Sequence, residues 1–152
     1  MFDRIREWFA NIGKLPPAIM SELQSEGLIL ISEKLRGSIT YRNFHAPGKY
    51  SGYRKVGFVS SIAVTKIRLY ATSSGRPAIN VPFTDERIRS MNFSVENDKT
   101  LCATFDASLF QPAWSGEIEY RFHTSEAQLF WDEIKKLSMA DRYENGIQVE
   151  NL

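Results

Sequence analysis

The chain has 152 residues, of which 43% are hydrophobic, and a formal net charge of +1. This length is typical of one domain, and the apolar content can form a core without disulfides or metals. The single cysteine, Cys102, excludes an internal disulfide, and no paired Cys/His spacing indicates a zinc site. No apolar run approaches the roughly 20 residues that cross a bilayer, and the N-terminus lacks the pattern of a signal peptide. We therefore expect a cytoplasmic protein.

The charge is distributed unevenly along the chain. Residues 34–84 contain nine basic residues and no Asp or Glu, whereas residues 85–152 contain 13 acidic and seven basic residues. A long stretch without acids suits a negatively charged partner if its cations cluster in three dimensions.

The first 26 residues are predicted to form a helical extension. Phe2 to Ile12 places apolar residues at helical spacing, which predicts a short amphipathic helix ended by Gly13. Pro16 and Pro17 suit the first turn of a second helix that runs to about Ser25. We expect the first helix to pack on the rest of the domain or on a second subunit rather than on a membrane.

From Gly27 onward, short runs of β-branched and aromatic residues alternate with Gly, Pro, Ser and Asn, as in an antiparallel sheet. The clearest strand is Glu117 to His123, where apolar and polar residues alternate. The predicted strands are 28–33, 37–44, 56–65, 67–72, 78–82, 90–96, 99–106 and 116–123.

An amphipathic helix is predicted directly after the last strand. Ser125 and Gln128 have the spacing of a capping box, and an apolar stripe runs from Ala127 to Leu137. The polar segment 138–152 shows no sustained period and is expected to be a loose tail.

The order of these elements resembles the PH-like superfamily, in particular GRAM and bacterial PH-like domains. Residues 62–70 are similar to the hairpin of that family in which an apolar strand, a Thr, a basic residue and Arg-Leu follow one another, and residues 79–83 are similar to its next strand and turn. The resemblance covers residues 27–137. It implies a mainly β (α+β) fold, a PH-like bent antiparallel β-barrel closed by the C-terminal amphipathic helix. The chain departs from the family pattern in its N-terminal helical extension and in a long connection from Phe44 to Lys55. The resemblance also implies a binding or interaction module.

Neither the residues nor the family indicates catalysis, a metal or a cofactor. His45 lies in a turn and His123 ends a strand, and neither has a spaced carboxylate or nucleophile. Cys102 lies in an alternating strand, where it behaves as a small buried hydrophobe. Asp106, Glu117 and Glu119 are expected on a solvated outer face, because like charges there repel unless a cation lies between them. A small enzyme centred on Cys102 or Asp106 is the alternative.

The segment Tyr41 to Phe58 interleaves cations, aromatic rings and glycines. Such a segment suits an anionic membrane surface, to which lysines and arginines are attracted and where aromatic rings settle among headgroups. It also suits a protein partner and, ranked behind these, single-stranded nucleic acid. The candidate ligand-binding residues are Arg42, Lys49, Arg54, Lys55, Lys66, Arg68, Tyr50 and Tyr53.

Two further interpretations of the basic stretch stay open. Its cations can be ordinary outward strand residues that the acids of residues 85–133 neutralise in the fold. The protein can also be a structural or oligomerising one that assembles copies through its N-terminal helix or its sheet edges.

Overall fold

In a computed structural model of the chain, residues 14–144 are described, with side chains to residue 139. The predicted mainly β fold with a C-terminal helix is confirmed. The helices are α1 (Pro17–Ser25) and α2 (Ala127–Glu144), and the strands are β1 (Leu28–Ala46), β2 (Lys49–Thr65), β3 (Arg68–Ser73), β4 (Arg76–Pro82), β5 (Asn92–Glu96), β6 (Thr100–Asp106) and β7 (Ser115–His123). The helix predicted for residues 2–12 lies outside the described residues.

The strands form one antiparallel sheet in the order β4-β3-β2-β1-β7-β6-β5. β1 lies at the centre, where it pairs with β2 on one side and with β7 on the other. Within the described residues, the edge strands β4 and β5 do not pair with each other, so the sheet is not closed into a barrel.

Two predicted breaks in the sheet are wrong. The segments 28–33 and 37–44 belong to one strand, in which a register shift between Ser32 and Leu35 and a left-handed Lys34 (φ 58°) absorb the irregularity. The expected connection from Phe44 to Lys55 is instead a hairpin, paired down to Ala46 opposite Lys49. A turn with Gly48 at φ 76° closes this hairpin. Pairing with β1 holds the following residues in a strand, although the glycines among them had suggested a loop.

The sheet curls around one apolar cluster. β4 and β6 are five positions apart in the strand order, which corresponds to about 24 Å in a flat sheet. Nevertheless Ile79 of β4 and Phe105 of β6 belong to the same buried cluster, together with Phe58 and Ile62 of β2. The two halves of the sheet therefore face each other across a shared core.

α1 covers part of the opposite face of the sheet. Its Leu23 is fully buried and packs with Leu15, Ala63 and Tyr70 in a second, smaller cluster. The N-terminal segment is thus attached to the outside of β2 and β3, and the predicted helix from Pro16-Pro17 to Ser25 is confirmed.

α2 packs against the inner cluster through Phe130 and Ile134, and its Trp131 stacks on Phe93 of β5 with ring centroids 5.5 Å apart. The Thr124 hydroxyl accepts from the Glu126 amide at 3.1 Å at the start of the helix.

The loose tail predicted from residue 138 is wrong as far as Glu144, because α2 continues to that residue. Residues 138–144 include Met, Ala, Arg and Glu, which favour helix even without an apolar stripe. The rest of the predicted tail, residues 145–152, lies outside the described residues. Neither α1 nor α2 is long and apolar enough to cross a membrane.

Gly37 gives a test of the packing at the centre of the sheet. A Cβ atom there would lie 2.4 Å from Cε1 of Phe58 and 2.8 Å from the backbone oxygen of Arg121. We expect Gly37→Ala to lower the free energy of unfolding by about 1–3 kcal/mol in urea titrations, because the buried Phe58 ring must move. Gly57→Ala is the matched control, since the nearest atom to its Cβ is 3.8 Å away. Equal stability of the two variants would show that Phe58 is not held against Gly37.

Candidate functional site

The structure does not bring the eight candidate residues together on one surface. Lys66 and Arg68 lie at the turn between β2 and β3, at the end of β2 away from Lys49. The other six lie on the distal part of the β1–β2 hairpin, residues 41–58, which we call the basic hairpin. The sequence clustered them by position along the chain, but β2 spans 17 residues and separates the two groups.

Arg42 is paired within the sheet. Its Nη1 donates to Oε1 of Glu117 at 2.9 Å and its Nη2 to Oε1 of Glu119 at 2.8 Å. Both acids lie on β7, directly beside β1. These carboxylates hold the pKa of the Arg42 guanidinium above its usual value, with the hydrogen bond to Glu119 as the main cause. Arg42 therefore stabilises the β1–β7 pairing and is a poor candidate for ligand binding.

A second arginine extends this row of ion pairs across the sheet. Arg121 donates to Glu119 at 3.1 Å and to Glu96 at 3.0 Å, and the Cys102 thiol lies 3.6 Å from Glu96. Glu117 and Glu119 were expected on a solvated outer face, but arginines bind both carboxylates, and the side chain of Glu119 is only 12% exposed. Asp106 instead accepts from the amide of Ser108 at 2.8 Å and from its hydroxyl.

Glu96, Cys102 and Glu119 place potential metal-ligand atoms within 4.8 Å of one another. Arg121 already supplies positive charge to both carboxylates, and burial raises the pKa of the Cys102 thiol. A protonated thiol is a poor nucleophile and a poor metal ligand. The cluster is therefore best explained as an ion-pair network.

Arg68 holds α1 on the sheet. Its Nη2 pairs with Oε2 of Glu26 at 2.8 Å and with Glu22, while its Nη1 donates to Oδ1 of Asn80 on β4 at 3.0 Å. Its guanidinium also lies 5.4 Å from the centre of the Tyr70 ring. With its side chain only 13% exposed and paired with two acids, Arg68 is less accessible to a ligand than the exposed cations. Lys66 is exposed beside it.

The basic hairpin carries the cations that stay available. Lys49, Arg54 and Lys55 are exposed, and none has an ion-pair partner among the residues whose side chains are described. Tyr50 is 63% and Tyr53 67% exposed, although Tyr50 stacks on His45 with centroids 4.5 Å apart. Five of the eight candidates therefore form one accessible group.

These side chains lie on both faces of the hairpin. Tyr53 pairs with Arg42, whereas the neighbouring Arg54 pairs with Tyr41, so their side chains point to opposite faces. β2 pairs with β3 only at Ile62–Val64. Its part from 49 to 58 therefore has β1 on one side and a free edge on the other within the described sheet.

A cleft of about 490 Å³ opens between the two halves of the sheet. Ile79 of β4 lies on one side, and Phe105, Trp114 and Tyr120 lie on the other, with Arg76 also part of the wall. No local pattern in the sequence indicated this site, because its walls come from strands that are far apart along the chain. The Pro112–Trp114 segment between β6 and β7 offered no periodic signal.

Two tyrosines line this cleft without a hydrogen bond from their hydroxyl groups to any residue of the described chain. They are Tyr41 of β1 and Tyr120 of β7. Burial raises the pKa of Tyr120 to about 12, and the nearby Tyr41 adds to this effect. The cleft thus combines aromatic walls with phenol groups that are free to donate.

Each of the two histidines contacts a neighbouring polar group of the sheet. His45 Nδ1 lies 3.2 Å from the backbone oxygen of Asn43, and His123 Nδ1 lies 3.1 Å from the Thr100 hydroxyl. Neither is placed beside a carboxylate and a nucleophile, so the described residues contain no catalytic triad around a histidine.

The chain matches no protein-family model and none of the curated proteins with which it was compared.

Tyr120 provides a spectroscopic test of the cleft. A tyrosine whose folded pKa is raised stabilises the fold below its unfolded pKa of about 10, and this contribution is lost as the pH rises through the folded value. We expect the absorbance change of tyrosine ionisation to include a step near pH 12, the pKa of Tyr120, which Tyr120→Phe removes. We also expect the free energy of unfolding to fall less steeply between about pH 10 and 12 in that variant. An unchanged titration curve in Tyr120→Phe would show that this ring is not buried in the cleft.

Proposed function

We propose that the protein is a non-enzymatic interaction module that attaches reversibly to an anionic lipid surface through the basic hairpin. The observation that carries this proposal is the combination of three exposed cations without ion-pair partners in the described chain, Lys49, Arg54 and Lys55, with two tyrosines that are about two-thirds exposed. The other predicted cations are either engaged, as Arg42 and Arg68 are, or distant, as Lys66 is.

The expected attachment is weak. Each Lys or Arg near an anionic leaflet contributes about 1 kcal/mol, and this attraction falls off within a Debye length. Three cations therefore contribute about 3 kcal/mol, to which the rings of Tyr50 and Tyr53 add at headgroup depth. Binding of this kind depends on lipid charge and decreases as salt increases.

The presence of cations on both faces of the hairpin favours contact through its tip and its β2 edge. Arg54 and Lys55 point to opposite faces, so a membrane lying flat on one face would leave one of them unused. An approach along the free edge of β2 brings both cations to the headgroups. Gly52 and Gly57 leave space for this approach, since no atom lies within 3.4 Å of a Cβ built at either position.

For the fold we propose a PH-like domain of the GRAM type in the cytoplasm. The strand order, in which a central first strand pairs with both the second and the last, supports this proposal, as does the helix that packs on the shared core after β7. A reduced, buried Cys102 fits a cytoplasmic compartment.

A protein partner is the second candidate. The free edge of β2 between residues 49 and 58 is long enough for an extended segment of another protein, or of a second copy of this chain, to add as a strand. Nucleic acid ranks behind both, because Tyr50 is already stacked on His45 rather than open to a base.

Charge reversal on the hairpin tests the membrane proposal. We expect Arg54→Glu with Lys55→Glu to abolish co-flotation with phosphatidylserine-containing vesicles at low salt, because two of the three available cations become acids. Wild-type protein should float with these vesicles at low salt, less at physiological salt, and not with neutral phosphatidylcholine vesicles.

The matched control is Lys34→Glu with Arg36→Glu. It changes the net charge equally at exposed positions of β1 that lie outside the basic hairpin. Equal loss of flotation in both double variants would mean that overall charge and not the hairpin determines binding. No flotation of the wild-type protein at low salt would reject the membrane proposal and leave the β2 edge and protein partners.

A further inference from the structure

We propose that the cleft between the two halves of the sheet binds a small amphipathic carboxylate, whose apolar body lies between the aromatic walls and whose carboxylate meets Arg76. This site is separate from the membrane contact of the basic hairpin and does not depend on it. Its volume of about 490 Å³ falls within the range of small-molecule sites.

The walls suit a flat or chain-like apolar group. Phe105 and Tyr120 stack with centroids 6.1 Å apart, and Phe105 and Phe110 meet edge to face at 5.5 Å. Trp114 borders the cleft and packs edge-on against Phe44. These rings hold one another in place, so the cavity is formed before a ligand arrives and loses little entropy on binding.

The polar groups of the cleft favour an acidic head. Arg76 is exposed at the wall, and its guanidinium has no ion-pair partner within the described part of the chain. A guanidinium can bind a carboxylate through two parallel hydrogen bonds. The cleft has no Asp or Glu among its lining residues, so nothing there opposes an anion.

The hydroxyls of Tyr41 and Tyr120 give the cleft two further donors. Because neither has a hydrogen-bond partner among residues 14–139, a ligand oxygen can accept from them without displacing a protein contact.

An added peptide strand fits this site less well than a small molecule. β4 forms the side of the cleft at the edge of the sheet, and it contains Pro77 and ends at Pro82. Proline lacks the backbone donor that a pairing strand requires, and its presence protects a sheet edge. The edge beside the cleft is thus poorly suited to pairing while the cavity behind it stays open.

Titration with decanoate, and with decan-1-ol as its uncharged match, tests the proposal. We expect decanoate, below its micelle concentration, to bind at a ratio of one to one in calorimetry and to shift the indole signal of Trp114 in 1H–15N spectra. Arg76→Gln should weaken decanoate binding by about tenfold or more and leave decanol unaffected, because only the charged head meets the guanidinium. Arg36→Gln, at an exposed arginine outside the cleft, should bind decanoate as the wild type does.

Ala78→Trp fills the cleft from its rim, where Ala78 is half-buried, and should abolish binding of both probes while the 1H–15N spectrum remains that of a folded protein. The same variant should still float with anionic vesicles, and the Arg54→Glu, Lys55→Glu variant should still bind decanoate. These two results separate this site from the hairpin. Absence of saturable decanoate binding to the wild type, or equal affinity in Arg76→Gln, would overturn the proposal.

Discussion

The pairing of β1 with two neighbours is the constraint on which the rest of the structure depends. β1 meets β2 from Leu28 to Ala46 and β7 from Arg36 to His45. It therefore joins the β2–β4 half of the sheet to the β5–β7 half, and the curvature between them creates both the shared core and the cleft. The basic hairpin is the far end of the same strand pair, so its position is set by the registers at the centre of the sheet.

Ion pairing decides which cations of the acid-free stretch remain available. Arg42 is ion-paired with acids on β7, and Arg68 with Glu22 of α1 and with Glu26 directly after it, so both arginines connect elements that are remote along the chain. Part of the stretch is thus neutralised within the fold. Lys49, Arg54 and Lys55 lie together on the hairpin without an ion-pair partner in the described chain, whereas the other unpaired cations of the stretch, Lys34, Arg36, Lys66 and Arg76, lie outside it. The hairpin is therefore distinguished from the rest of the stretch by a group of unpaired cations close together, and not by the number of its basic residues.

The elements of the fold were more predictable from the sequence than the site. The alternation of apolar and polar residues in Glu117–His123 and the apolar stripe from Ala127 to Leu137 are local patterns. The first correctly predicted a strand and the second a helix. The pairing of Arg42 with Glu117 spans 75 residues, and that of Arg68 with Glu26 spans 42, so no local pattern could reveal either. The cleft is also non-local. It requires the sheet to curl, and the periodicity of single strands contains no information about curvature.

We propose that the basic hairpin, and no other part of residues 14–144, meets an anionic membrane. Amide hydrogen exchange with and without phosphatidylserine vesicles tests it most directly, because it locates the contact without a substitution. The account predicts slower exchange confined to residues 49–58, since their edge of β2 lacks a neighbouring strand in the free protein. Protection of α1 or of the β5 edge, with residues 49–58 unchanged, would contradict it.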